Sequence, residues 1–306
     1  MRYVLNTSRQ VYMNKINLAQ DYIEKHLAEA LTVEQLAAIA SFSPFHFQRI
    51  YRQITGESLY AYIKRLRLEK AVFLLLGNKE RSIQDIALSL GFANQASFAK
   101  AFKGKFGKSA SEFRRLDDGQ NGNKIQEADV SKNGKVYDEK IKYTIPIELS
   151  VQTMASTHVV YVRHTGPYKG DSALFKSLFT KLYTYAQLKD YVKSDSKWYA
   201  VYHDFGDLTM EEQLRVSACM STHEGVETEG EYGSMILEGG KYAVGRFLLK
   251  DDAYQLAWNY MLSKWLPESG CVPDDRMFFE YFPPQDYGEG KEERMVDIFI
   301  PITPLS

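Results

Sequence analysis

The sequence predicts two unlike halves. The first is an all-α N-terminal domain of two helix-turn-helix units joined by a linking helix. The second is an α+β C-terminal domain of two strand–helix–strand–strand repeats related by a pseudo-twofold axis. Three observations predict this. A helical pattern early in the chain recurs about 50 residues later, and a strand–helix–strand–strand order further on occurs twice. Charge divides in the same place: residues 1–116 hold 18 Lys+Arg against 9 Asp+Glu, although the net charge of all 306 residues is −1.

Residues 1–12 show no clear pattern and read as an irregular lead-in. Over residues 15–27, Ile16, Ala19, Tyr22, Ile23 and Leu27 form one apolar stripe of a helix. Thr32 is placed to cap a helix burying Val33, Leu36, Ala37 and Ala40. After the Ser41-Phe42 turn, Ser43 is placed to cap the next helix, with Pro44 at its first position, where the missing N–H costs nothing. That helix buries Phe47, Ile50, Tyr51 and Ile54 and ends before Gly56. A longer helix with Leu59, Tyr62, Ile63, Leu66 and Phe73 inward follows, ended by Gly77-Asn78. The pattern then repeats. Thr32, Val33, Leu36, Ala37 and Phe42 match Ser82, Ile83, Ile86, Ala87 and Phe92 at an offset of 50. Phe47, Tyr51, Arg52, Gly56 and Tyr62 match Phe98, Phe102, Lys103, Gly107 and Phe113 at 51. Gly91 breaks the helix before it, and Asn94 caps the helix after it.

Residues 117–135, rich in Gly, Asn and charge without periodicity, read as a linker. The C-terminal domain is expected from 136 to 306. Strands are predicted at 143–151, 158–163, 198–202 and 214–220, with a helix carrying Leu174, Phe175, Leu178, Leu182 and Tyr185 after the second. Residues 222–233 read as an acidic loop. Then a strand at 241–248, a helix at 251–266 and strands at 277–282 and 295–300 repeat the order, with 160–163 aligning on 243–246 at an offset of 83. Such a duplication suggests half-domains with a groove between them.

A basic half beside an acidic half suggests one polyanion-binding module and one module with another task. The two cysteines, Cys219 and Cys271, are too few for a disulfide framework and lack metal-type spacing. The six histidines show no metal-ligand spacing either, so no metal or cofactor is expected. No signal peptide opens the chain and no apolar run approaches ~18 residues, which makes the cytoplasm the expected compartment. His203-Asp204 with Asp207 is outweighed as an acid/base site by a solvated turn, and no catalytic residue is assigned.

Residues 15–115 resemble the DNA-binding domain of the AraC/XylS family of transcriptional regulators. The resemblance is most specific at Gly91-Phe92-Ala93-Asn94-Gln95-Ala96-Ser97-Phe98, with Phe102-Lys103, Phe106-Gly107 and Ser111-Glu112-Phe113-Arg114 completing it. One departure is Ala110, where the family usually has proline. Residues 140–302 are similar to a GyrI-like effector-binding domain. The matching stretches are Arg163-His164-Thr165-Gly166-Pro167-Tyr168, Gly239-Gly240-Lys241-Tyr242-Ala243-Val244, Trp265-Leu266-Pro267-Glu268-Ser269-Gly270 and the closing Ile298-Phe299-Ile300-Pro301-Ile302.

With the apolar residues of 44–54 inward, Phe45, Gln48, Arg49 and Arg52 share the outer face. Gln suits an adenine edge, Arg suits guanine O6/N7, and Phe45 can meet a thymine methyl. Gln95, Ala96, Ser97 and Lys100 occupy the same tip of the second helix, where the family resemblance also points. Arg52, Lys103, Lys108 and Arg114 lie further along and are expected on phosphates. Double-stranded DNA is the expected partner, against the alternative of plain solvated helix faces.

In the strand at 277–282, Phe278, Glu280 and Phe282 share a face, where a carboxylate is costly without a partner. The GyrI-like resemblance implies that Glu280 faces aromatic residues in a ligand groove, and a Glu among rings attracts a lipophilic cation. Trp198, Tyr202 and Tyr161 are candidate walls. The alternative pairs Glu280 with a core Arg or a Tyr hydroxyl, binding nothing. Trp258 and Trp265, at i and i+7, are expected in the core. The leading expectation is a transcription regulator governed by a small-molecule effector. The alternatives are a GyrI-like hydrolase with an attached DNA-binding module, and an activator whose acidic half contacts a protein such as RNA polymerase.

Overall fold

The computed structural model describes residues 8–77, 80–116, 144–204, 208–274, 276–284 and 293–304. The chain divides into two compact units, built chiefly from Met1–Glu139 and from Lys140–Gly206 with Met210–Ser306. The linker expected at 117–135, the expected start at 136, Asn78 and Asp207 lie outside the described residues.

The first unit has seven helices among its described residues: α1 (Ser8–Lys25), α2 (Val33–Ile39), α3 (Pro44–Thr55), α4 (Leu59–Gly77), α5 (Ile83–Ser89), α6 (Gln95–Phe106) and α7 (Ala110–Leu116). α1 begins at Ser8, so residues 8–12 of the expected lead-in are helical. Thr32 and Asn94 cap as expected, accepting from Gln35 N (3.2 Å) and Ser97 N (2.8 Å). Ser43 stands at the cap position without a side-chain bond, and α3 starts on Pro44 alone. At α7 a capping box replaces the proline expected at Ala110. Glu112 accepts from Ser109 N (2.7 Å) and Oγ (2.6 Å), while Ser109 Oγ accepts from Glu112 N (3.2 Å).

The repeat forms two cores. Phe47, Tyr51 and Tyr62 centre the first, while Phe98, Phe102 and Phe113 centre the second. α4 supplies both. The turn residue before each second helix is left-handed: Gly91 at φ 75° and, at the equivalent place, Ser41 at φ 54°. A Cβ fits at Ser41 but not at Gly91, where it would stand 2.8 Å from the Ala28 carbonyl oxygen.

The second unit is one antiparallel sheet with its helices on one face. Its strands are β1 (Glu148–Met154), β2 (Thr157–Thr165), β3 (Trp198–Tyr202), β4 (Arg215–Ser221), β5 (Tyr232–Leu237), β6 (Gly240–Leu249), β7 (Cys271–Pro273), β8 (Phe278–Phe282) and β9 (Arg294–Pro304). They run in the order β1-β6-β9-β8-β3-β4-β2-β5, with β7 on β9. β2–α8–β3–β4 and β6–helix–β8–β9 are the two repeats, with α8 spanning Ser172–Leu188. β3 and β8 meet at the centre in antiparallel register, Ala200 opposite Glu280, so the pseudo-twofold axis passes there. The strand preceding each repeat crosses over: β1 pairs with β6, and β5 with β2. β5 occupies the end of the expected acidic loop. β1 begins later than predicted, at Glu148.

Candidate DNA-facing surface and ligand site

α3 and α6 each turn their aromatic face inward, leaving the polar face to solvent. On α3, Phe47, Ile50 and Tyr51 are buried, while Phe45, Gln48, Arg49 and Arg52 are exposed, Phe45 at 80%. An exposed phenylalanine at a helix tip forfeits burial in the free protein. On α6, Phe98, Phe102 and Phe106 are buried and Gln95, Ala96, Ser97, Lys100 and Lys103 are exposed. The Ser97 hydroxyl donates to Asn94 O at 2.8 Å, so it is held against the cap. Arg114 departs from expectation. It is half-buried and donates to Arg81 O at 2.7 Å, which ties α7 to the start of α5.

The C-terminal site is built on the central strand pair. Glu280 is 1% exposed on β8. Strand alternation and cross-strand pairing put Trp198, Ala200, Tyr202, Phe278, Glu280 and Phe282 on the helix-covered face. The Trp258 indole N–H donates to Glu280 Oε1 at 2.7 Å, and the Tyr202 hydroxyl is bonded to the same carboxyl group. Rings continue outward from there. Trp258 lies edge-on to Tyr202 (5.4 Å between centroids) and parallel to Phe278 (6.4 Å), while Tyr202 meets Tyr168 at 5.7 Å. Toward the other end of the strand pair, Phe179 meets Trp198 (6.1 Å) and Phe282 (5.4 Å), and Tyr183 meets Trp198 (6.1 Å).

Glu280 therefore has neutral partners. Burial raises its pKa from 4.5 to about 7, against the opposing pull of the Trp258 and Tyr202 hydrogen bonds. Burial likewise holds the Tyr202 hydroxyl well above its ordinary value, with the Glu280 charge adding to the effect.

Tyr202 and Phe278 come together with Glu280 as the sequence suggested, and Trp198 lies on the same face toward the other end of the strand pair. Tyr161 does not. Its partner Cys219 stands opposite Tyr199, and all three lie on the other face of the sheet, in a separate core with Phe279 and Phe299. The sequence placed Trp258 in the core, yet it supplies the principal hydrogen bond to Glu280. Its helix runs as Tyr254–Asn259, then a π-helical stretch, Tyr260–Trp265, then Leu266–Glu268. The alternative of a Tyr hydroxyl on Glu280 is realised in Tyr202, and among the described residues no arginine accompanies it. Arg215 pairs instead with the buried Asp204 (2.9 Å), and His203 Nε2 lies 2.8 Å from Ser217 Oγ. The turn expected to be solvated at 203–204 is thus bonded into the sheet. Among the described residues, no group of three His, Cys, Asp or Glu could hold a metal ion, and no helix is long and apolar enough to cross a membrane.

A double helix-turn-helix unit followed by a duplicated sheet domain with an aromatic-walled carboxyl group defines a class of protein. The family model of the GyrI-like small molecule binding domain matches residues 147–303, and that of a helix-turn-helix domain matches 36–116. The chain is 38% identical over 113 residues to the bifunctional transcriptional activator/DNA repair enzyme AdaA of Bacillus subtilis, covering 36% of this chain and 53% of that protein. It is 37% identical over 94 residues to the right origin-binding protein of Escherichia coli, covering 31% and 32%. To the regulatory protein SoxS of Salmonella typhimurium it is 32% identical over 94 residues, covering 31% of this chain and 87% of SoxS. The chain belongs to the AraC/XylS family of regulators and carries a GyrI-like small-molecule-binding domain. It spans about half of AdaA and about a third of the right origin-binding protein.

Proposed function

We propose that the chain is a transcription regulator that reads DNA through α3 and α6 and binds a lipophilic cationic effector at Glu280. The single observation that carries the effector reading is the buried Glu280 carboxyl group, bonded to Trp258 and Tyr202, with Phe278 and Trp198 on the same face of the sheet. The ionised form is costly there until a cation with apolar substituents replaces the lost solvation. The exposed faces of α3 and α6 support the DNA reading. Phe45, Gln48 and Arg49, with Gln95, Ala96, Ser97 and Lys100, face base edges, while Arg52 and Lys103 lie along the phosphates. Two such helices on one chain suit successive major grooves, ~34 Å apart. Regulation then requires that the cation bind more tightly to one DNA-binding state than to another.

The test uses tetraphenylphosphonium as the cation and triphenylphosphine oxide as its neutral counterpart. The cation should raise the melting temperature of the full chain, and the neutral compound should not. Glu280→Gln should abolish the difference. Equal responses to both compounds, or an unaltered response in the variant, would remove Glu280 from the site.

A further inference from the structure

The two helix-turn-helix units share one helix but not one core. α4 gives Leu59, Tyr62, Ile63 and Leu66 to the first apolar cluster and Leu68, Ala71, Val72 and Leu75 to the second. Arg67 lies at the changeover. Its guanidinium donates to three backbone carbonyls: Nε to Leu27 O (2.9 Å), Nη2 to Glu29 O (2.8 Å) and Nη1 to Gly91 O (2.8 Å). Leu27 and Glu29 follow α1 in the first unit. Gly91 is the turn that launches α6, the recognition helix of the second. The approach leaves no slack, since a Cβ on Gly91 would stand 2.6 Å from Arg67 Nη2. On the neighbouring turn of α4, the buried Glu69 accepts from Lys105 of α6 (2.7 Å) and Arg65 (3.3 Å), and Arg65 reaches Glu57 beyond α3 (2.8 Å).

Apolar packing is non-directional, and it holds each unit within itself. A planar fork fixed on three carbonyls is directional, because its donors cannot rotate independently. Rotation of one unit against the other about α4 would break at least one of the three bonds and leave a guanidinium N–H and a carbonyl unpaired.

We propose that Arg67 is a positioning residue that fixes the distance and orientation between α3 and α6, and thereby the separation of DNA subsites the chain accepts. The second half of this rests on the reading that both helices face DNA. The first half does not, and it can be measured without DNA.

In the full chain carrying Cys219→Ala and Cys271→Ser, spin labels go on Gln53→Cys of α3 and Ala99→Cys of α6, both exposed positions. Electron–electron dipolar spectroscopy should give one narrow distance distribution. Arg67→Met should broaden it at least about twofold, with Arg67→Lys intermediate, because an ammonium is a point donor where the fork spans both units. If Arg67→Met loses helical circular dichroism, Arg67→Lys decides. A distribution as narrow as the parent's in a folded variant would overturn the clamp.

The DNA half uses a duplex selected from a random library by the unsubstituted chain, then lengthened by one base pair between the two contacted subsites. The unsubstituted chain should lose at least about tenfold in affinity, as a rigid bivalent binder does when geometry prevents simultaneous engagement. Arg67→Lys should lose less than about threefold on the same insertion. Equal losses would overturn the proposal. Selection of a single subsite would instead overturn the reading that both helices face DNA, leaving the label distances to judge the clamp.

Discussion

Replacing Glu280 by glutamine keeps the shape of the side chain and removes its titration. In the folded protein Glu280 holds its proton up to about pH 7, whereas the unperturbed group loses it near 4.5. Between those values the folded state binds more protons than the unfolded state, so this group's contribution to stability falls as pH rises. The loss is complete above about pH 7, and below 4.5 the two states bind the proton equally. From 4.5 to about 7, the shift corresponds to about 3 kcal/mol. The stability of Glu280→Gln relative to the parent should therefore increase by up to about 3 kcal/mol from pH 4.5 to 8. Any constant packing difference of the amide cancels in that comparison. The measurement is urea unfolding at a series of pH values, followed by tryptophan emission. All three tryptophans, 198, 258 and 265, lie in the C-terminal unit, so the signal reports that unit alone. Parallel stability curves for parent and variant would show that Glu280 ionises as an ordinary, solvated carboxylate.

Arg49→Ala and Gln48→Ala should each relax preference at particular base positions in a selected DNA site, costing about 1–3 kcal/mol there. Equal weakening on every sequence, in binding measured across single-base variants, would reassign them to the backbone. Gly91→Ala should destabilise the N-terminal unit well beyond Gly56→Ala, judged by denaturation followed by circular dichroism. Both glycines have left-handed φ, 75° and 77°, which costs an alanine roughly 1–2 kcal/mol. Only Gly91 also has a carbonyl oxygen and a guanidinium within 3 Å of the new methyl group. Similar losses at the two positions would show that the Arg67 contact adds nothing.

Much of the fold was legible because it is written in local periodicity and then written again. Phe47 and Phe98, or Tyr51 and Phe102, declare the same buried face in two copies, and strand alternation placed Phe278 and Glu280 together before any partner was known. Residue type misled where it was read without a partner. Trp258, expected in the core, bonds Glu280, and Tyr161, one residue out of phase with Val160 and Val162 along a regular strand, lies on the face opposite Glu280. Arg114 looked like a phosphate contact because exposure cannot be read from residue type, and its carbonyl partner lies 33 positions back.

The sequence by itself determined the two repeats, the inward faces of α3 and α6, the caps at Thr32 and Asn94, and the misfit of a carboxylate among rings at Glu280. These depend on neighbours within a few residues along the chain. Only the tertiary structure decided which groups meet Glu280 from another element, which face of the sheet Tyr161 takes, and that Arg67 gathers carbonyls 40, 38 and 24 positions away. Those contacts join segments whose separation in sequence carries no periodic trace. They are set by how helices and strands pack, and a single chain's residue order does not encode that in any local pattern.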